Sequence, residues 1–366
     1  SMRDKVAKIY FLEKNYKKAE EIFKRLYTIE EKQSQKDEYA SYLARANALL
    51  NNPDAAMFYV REIKDKKIFQ KTFFAVAQNF LAKENNEAAQ KAYKEIIDNK
   101  YENYKESMMG LGIVYYNLKD YDKAIYWLSE FSKAVPNENK EMVSYLRASA
   151  IYRKGNTDDA ISRFEELANI EPSTEYSRKA ALYLIEIHSN RKDEAKVSFY
   201  LEKLKGTKEY NTAMTMIGDL YVTKGNYEKA LDYYNQSNDK NNPKLIYGEA
   251  YSLYKNGKYE EALKKFESLK NSDYYNQSIY HIFAINYKLK NFDEIIRNRE
   301  IIRKVVVSQV DTDNIIRIIA NSAYQVGNYK LAKDYYGRLF AVSPDKENLF
   351  RVILLDSQML DMEDLR

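Results

Sequence analysis

The sequence predicts an all-α protein built from stacked antiparallel helix pairs, and three observations carry that expectation. Chain breakers are scarce: 366 residues hold 10 Gly and 5 Pro, about 4% against an ordinary share near 12%. All-β sandwiches and barrels need turn residues every few positions, so the shortage speaks against that class. Apolar residues make up 45% of the chain, yet no run reaches the roughly 18 apolar residues of a membrane span. One short pattern also returns at intervals of 32 to 37 residues, a period typical of repeat architectures.

The pattern is Asn or Asp, often an aromatic residue, two charged residues, an alanine, and a large residue four positions on. Clear copies are Asn15-Tyr16-Lys17-Lys18-Ala19, Asp120-Tyr121-Asp122-Lys123-Ala124, Asn226-Tyr227-Glu228-Lys229-Ala230 and Asn328-Tyr329-Lys330-Leu331-Ala332. With weaker copies between them, the anchors are Ala19, Ala56, Ala89, Ala124, Ala160, Ala195, Ala230, Ala262, Ile295 and Ala332.

Each unit reads in order as helix A, tight turn, helix B, turn. On helix A, the position twelve before the anchor is Ala or Gly in eight of ten units, Tyr183 and Phe283 being the others. Gly155, Gly225, Gly257 and Gly327 supply the left-handed residue that ends helix A. The next residue is Asn or Asp in eight of ten units, with Arg191 and Lys258 the exceptions, and it caps helix B. On helix B the anchor and the residue four on share a face. The small one admits a neighbouring helix, and a large one such as Phe23, Phe164, Phe199 or Tyr234 fills the space beside it. Pro136, Pro172 and Pro344 stop helix B, and Pro53 fits the first turn of a helix.

On this period and residue order the chain resembles the tetratricopeptide repeat family over residues 3–365, with about ten repeats plus a partial eleventh in a single array over 1–366. The resemblance implies a right-handed α-solenoid, a superhelix whose A helices line a concave face. The unit around Ile295 departs most, because Arg299 replaces the large apolar residue and Val305-Val306-Val307 is a poor helix end; a local break is expected there. Asp361-Met362-Glu363-Asp364-Leu365 matches the start of a helix B. Residues 346–366 therefore read as the truncated helix of an eleventh repeat, and the chain as a fragment of a longer array. The alternative is one terminal capping helix over 346–360. Apolar residues near that end, such as Ile353, Leu354 and Leu355, invite self-association through uncapped solenoid ends.

The residues argue against catalysis. Without Cys there is no disulfide, thiolate metal site or cysteine nucleophile. The two histidines, His188 and His281, lie 93 residues apart, which disfavours a multi-His metal site; no cofactor is expected. Glycine-rich phosphate loops, zinc-protease motifs and nucleophile elbows are missing from the sequence. His188 reads as a surface or capping residue near the end of a helix A, and His281 as the same at a helix start. Asp158-Asp159, Glu165-Glu166 and Glu260-Glu261 read as solvated faces, and Trp127 as packing. The net charge of +5 is evenly mixed along the chain, so no nucleic-acid partner is expected.

In the family that the chain resembles, ligands lie on the concave face, where residues fifteen, eleven and eight before each anchor point inward. These positions give Tyr247, Tyr251 and Tyr254, then Tyr280 and Tyr287, then Arg317, Asn321 and Tyr324, with Tyr145 and Tyr152 in an earlier unit. A tyrosine-lined groove is expected from 245 to 325, with Tyr251 its foremost residue; tyrosine offers large contact area at low entropic cost. The family's carboxylate-clamp subclass is disfavoured, since no Asn stands fourteen before any anchor. The expected function is a non-catalytic scaffold that binds a protein or peptide. An RNA-binding helical-repeat protein and the regulatory module of a larger enzyme are the alternatives. Lysine outnumbers arginine 43 to 16, and Asn, Ile and Tyr abound, a codon signature of an A/T-rich bacterial genome. Family analogy then suggests envelope, flagellar or secretion machinery. The compartment, periplasm and cell envelope or cytoplasm, is left open, as is any signal or anchor ahead of Ser1.

Overall fold

The computed structural model describes residues 2–364, with side chains described as far as Met359. Among these residues the chain is helical and contains no strand. Helices α1 (Met2–Leu12) and α2 (Tyr16–Ile29) form the first pair, α3 (Gln33–Leu49) and α4 (Pro53–Glu62) the second, and α5 (Lys66–Ala82) and α6 (Asn86–Asp98) the third. Then come α7 (Tyr104–Asn117) with α8 (Tyr121–Ala134), α9 (Lys140–Arg153) with α10 (Thr157–Ala168), and α11 (Glu175–Asn190) with α12 (Glu194–Leu204). The later pairs are α13 (Lys208–Thr223) with α14 (Tyr227–Gln236), α15 (Pro243–Lys255) with α16 (Tyr259–Ser268), α17 (Tyr275–Lys288) with α18 (Phe292–Arg297), and α19 (Gln309–Gln325) with α20 (Tyr329–Val342). Helix α21 (Lys346–Asp364) closes the described chain. Two compact units divide it, residues 1–184 and 185–366, the division falling within the sequence of α11.

The turn between paired helices is built the same way each time. The residue before each cap is left-handed: Gly155, Gly225, Gly257 and Gly327 where glycine is present, and Lys14, Asn51, Glu84, Lys119, Lys192 and Lys290, at φ of 58–62°, where it is not. Asn15, Asn85, Asp120, Asp193, Asn226 and Asn328 then accept the backbone N–H three residues on, satisfying one orphan donor of the second helix. Pro53 and Pro243 open α4 and α15, where a missing N–H costs nothing.

The small anchors are the floor of the core. Ala19, Ala56, Ala89, Ala124, Ala160, Ala230, Ala262 and Ala332 have no exposed surface. The sixth pair corrects the register read from sequence. Ala195 is exposed, and Val197, four after the capping Asp193, holds the buried position. Its partner on helix A is therefore the buried Ile185 rather than Tyr183, and Phe199, expected inside, is 52% exposed. The alanine kept an even spacing, while the cap and left-handed turn set the actual register.

Other expectations meet mixed outcomes. His188 is buried rather than superficial. Its backbone carbonyl accepts the N–H of Asp193 at 2.9 Å, and its ring Nδ1 stands 3.6 Å from that carboxylate. His281 lies inside α17, not at a helix start. Trp127 packs half-buried against the core, edge-on to Tyr126. The break expected near Ile295 is present: α18 has six residues, and a 3-10 helix, Arg299–Arg303, follows it. Residues 361–364 continue α21 instead of starting another helix, and Leu365 lies outside the described residues. Ile353 and Leu354 are exposed as expected, but Leu355 is buried in the core of the tenth pair.

Candidate partner-binding surface

The packing that positions the tyrosines is a repeated plate at the joint between one pair and the next. The large residue four after the anchor meets the residue fourteen before the following anchor. Where both are rings they stack nearly parallel: Phe23 with Tyr42 at 4.5 Å and 10°, Phe164 with Tyr183 at 4.6 Å and 9°, and Phe266 with His281 at 5.1 Å and 14°. Where the first is tyrosine the second is glycine. A methyl group on Gly110 would overlap Tyr93, and one on Gly218 or Gly248 would overlap Tyr234. The joints thus conserve volume, large against flat or larger against nothing.

His281 gathers four of the expected site residues in the second unit. Around its ring stand Tyr247 at 6.3 Å, Tyr251 at 5.4 Å, Tyr254 at 5.3 Å and Tyr280 at 5.3 Å. All four are half-buried, each with one face in the core. Lys255 lies over the Tyr251 ring at 5.4 Å. Burial pushes the Tyr247 and Tyr254 hydroxyls up. Burial also depresses His281 to about 4, Asp311 opposing and Lys255 assisting. The imidazole is therefore neutral at neutral pH and acts as an aromatic plate.

Three further expected residues meet at a pocket of about 560 Å³ in the same unit, where Tyr287, Asn321 and Tyr324 line the wall with Tyr336, Phe350 and Arg351. Arg351 donates to Asn321 Oδ1 at 3.0 Å and to the Tyr336 hydroxyl at 2.8 Å, and Tyr336 donates to Asn321. Arg317 instead reaches back to Asn348 Oδ1 at 3.3 Å. The last two, Tyr145 and Tyr152, belong to the first unit and flank Tyr183 at 6.0 and 5.5 Å. There the Ser149 hydroxyl bridges the Tyr116 and Tyr183 hydroxyls at 2.6 and 2.9 Å.

Sequence reasoning missed Tyr183, His281, Tyr336, Phe350 and Arg351. The offset of fourteen would have found the first two, once the sixth pair was read from its cap. The last two sit on α21, for which no anchor exists. Among the described residues no group of three or more His, Asp or Glu side chains could hold a metal ion, and no helix is long and apolar enough to cross a membrane.

Comparison with known proteins agrees with the helix-pair geometry. Residues 74–139 and 212–239 each match a model of the tetratricopeptide repeat, and residues 251–274 match a model of the PPR repeat. No curated protein matches the chain. Among solved structures, a tetratricopeptide repeat protein from Parabacteroides merdae is 13% identical, covering 78% of this chain and 98% of its own, with a TM-score of 0.35. A human IFIT1 dimer with PPP-AAAA is 14% identical, covering 93% and 89%, with a TM-score of 0.41.

Proposed function

We propose that this chain, which carries tetratricopeptide repeats, is a non-catalytic protein–protein interaction scaffold arranged as one array of about ten repeats. It binds a peptide, helix or domain of its partner on the A-helix surface of the second unit. The observation that carries this reading is the convergence of Tyr247, Tyr251, Tyr254 and Tyr280 on His281. Rings clamped by core packing lose little entropy on binding. The pocket beside Tyr287, Asn321 and Tyr324 extends the surface toward α21. The A/T-rich codon signature supports a bacterial source, and family analogy suggests a multiprotein assembly such as envelope, flagellar or secretion machinery. A photo-crosslinking residue at Tyr251, compared with one at the exposed Tyr126 of helix α8, tests the reading in cells. Crosslinks to a protein partner are expected from position 251 and not from 126; the reverse pattern contradicts it.

RNA binding is the second reading, favoured by the PPR-type match at residues 251–274, since such repeats read single bases. The evenly mixed charge, +5 overall, stands against it. Salt-sensitive micromolar retention of single-stranded RNA in a filter-binding assay would replace the protein reading.

A further inference from the structure

The joint between α12 and α13 lacks the aromatic plate of the Phe23, Phe164 and Phe266 joints. Leu201 and Met216 occupy its two positions, and Ile185 and Val197 replace the small pair beneath. A cleft of about 410 Å³ opens between α12, α13 and α14. Its apolar lining comes from Val197, Leu201, Ile217 and Leu220. On its wall Tyr221 stacks on Tyr233 at 5.5 Å and 13°. The ammonium groups of Lys224 and Lys229 stand 5.8 and 5.2 Å from the Tyr221 ring, and Lys192 also lines the cleft.

Two of these lysines differ from residues at the same register in the first unit. Lys123, the counterpart of Lys229, pairs with Asp120, and Lys154, the counterpart of Lys224, pairs with Asp122. Among the described residues, Lys192, Lys224 and Lys229 have no ion-pair partner within 4.0 Å. Two acids also line the cleft. Asp193 is already engaged, capping α12 through the Lys196 N–H and facing His188. Glu194 lies near Tyr233. A carboxylate brought between Lys224 and Lys229 is attracted by both charges, in a site partly walled by apolar groups that raise the interaction above its value in water.

We propose that this cleft docks an acidic segment of a partner protein, one that sets an aliphatic or aromatic side chain between carboxylates. The apolar side chain enters between Leu201, Ile217 and Leu220, and the carboxylates pair with Lys224 and Lys229. The assignment rests on the scaffold reading and gives its partner a chemistry. It uses none of the tyrosines around His281.

Fluorescence anisotropy on the full chain tests it with three labelled peptides of about twelve residues, alternating Glu–Leu, Lys–Leu and Glu–Ser. The Glu–Leu peptide is expected to bind, the other two at least about tenfold more weakly. The double variant Lys224→Glu with Lys229→Glu should weaken Glu–Leu binding by a similar factor. So should Ser198→Trp, which plugs the mouth from an exposed position without touching the core. Thermal melts by circular dichroism establish that both variants fold. Tyr251→Ala with Tyr254→Ala should leave this binding unchanged. Equal binding of Glu–Ser or Lys–Leu, or unaltered Glu–Leu binding by the charge-reversed chain, overturns the proposal. A single-stranded RNA that displaces the peptide through the same lysines overturns it in favour of nucleic acid. Failure here leaves the crosslinking result at Tyr251 standing, so the two readings fall separately.

Discussion

Two neighbouring joints in the second unit solve the same packing problem differently. Between α14 and α15, Tyr234 is fully buried against Gly218 and Gly248, and its hydroxyl donates to Asp219 at 2.7 Å. Lys244 holds the same carboxylate from the other side at 2.8 Å. Between α12 and α13 the corresponding residues are Leu201 and Met216, and a cleft remains. The small anchor is therefore not stabilising by itself. It packs tightly where a ring four residues on finds a glycine or a flat partner, as at Tyr234, or where aliphatic residues close the joint, as Leu128 does against Leu146. At the α12–α13 joint that complement is missing, and solvent-accessible space remains beside Lys192, Lys224 and Lys229.

The comparison can be broken most severely at Tyr234. Tyr234→Ala should cost about 4 kcal/mol, the range for deleting a buried aromatic ring, whereas Leu201→Ala at the open joint should cost about 1 kcal/mol. Urea unfolding of both variants measures the gap, and equal losses would dissolve the distinction between the joints. Next comes overpacking: Gly248→Val should cost about 3 kcal/mol by driving Tyr234 from its seat. Pairing it with Tyr234→Leu should recover part of that loss in a double-mutant cycle.

A smaller effect separates the His281 plate from the all-carbon ones. Its native value of about 4 lies below the unfolded value near 6.5. The unfolded chain therefore binds more protons. The stability that His281 contributes is full above about 6.5 and is lost as pH falls from there through about 4. Moving from pH 7 to pH 4.5 should remove about 2 kcal/mol through this group. His281→Phe keeps the plate and should flatten that part of the profile; an unchanged slope in the variant would assign the loss elsewhere. The smallest effect belongs to the turns. Lys119 sits at φ 61°, a strained position for a residue with a Cβ, so Lys119→Gly should gain about 1 kcal/mol, and Gly225→Ala should lose a similar amount. Thermal melts of the two variants should move in opposite directions.

Much of the architecture was legible because it is written in local chemistry. The left-handed glycines, the Asn and Asp caps and the alanine anchors each act within one turn of helix, so single residues reveal them. The sixth pair misled because Ala195 imitates an anchor two positions early, while Asp193 and Lys192 carry the true register. What stayed hidden is non-local. That Tyr183 and His281 stack on the preceding pair depends on helix-to-helix geometry, and so does the gathering of four tyrosines around one imidazole. Arg351 and Phe350 were unreadable for another reason: α21 packs on the tenth pair but has no following helix B among the described residues, and so no anchor from which to count its register.

The measurement that tests the central claim most directly is the affinity of a crosslinked and identified partner for two variants. Tyr251→Ala should weaken binding by at least about tenfold, since it removes a clamped ring from the His281 cluster. Phe58→Ala removes a ring that is 57% exposed on helix α4 and should change affinity by less than about twofold. Loss of binding with Phe58→Ala and full binding with Tyr251→Ala would contradict the account and move the partner surface to the B helices.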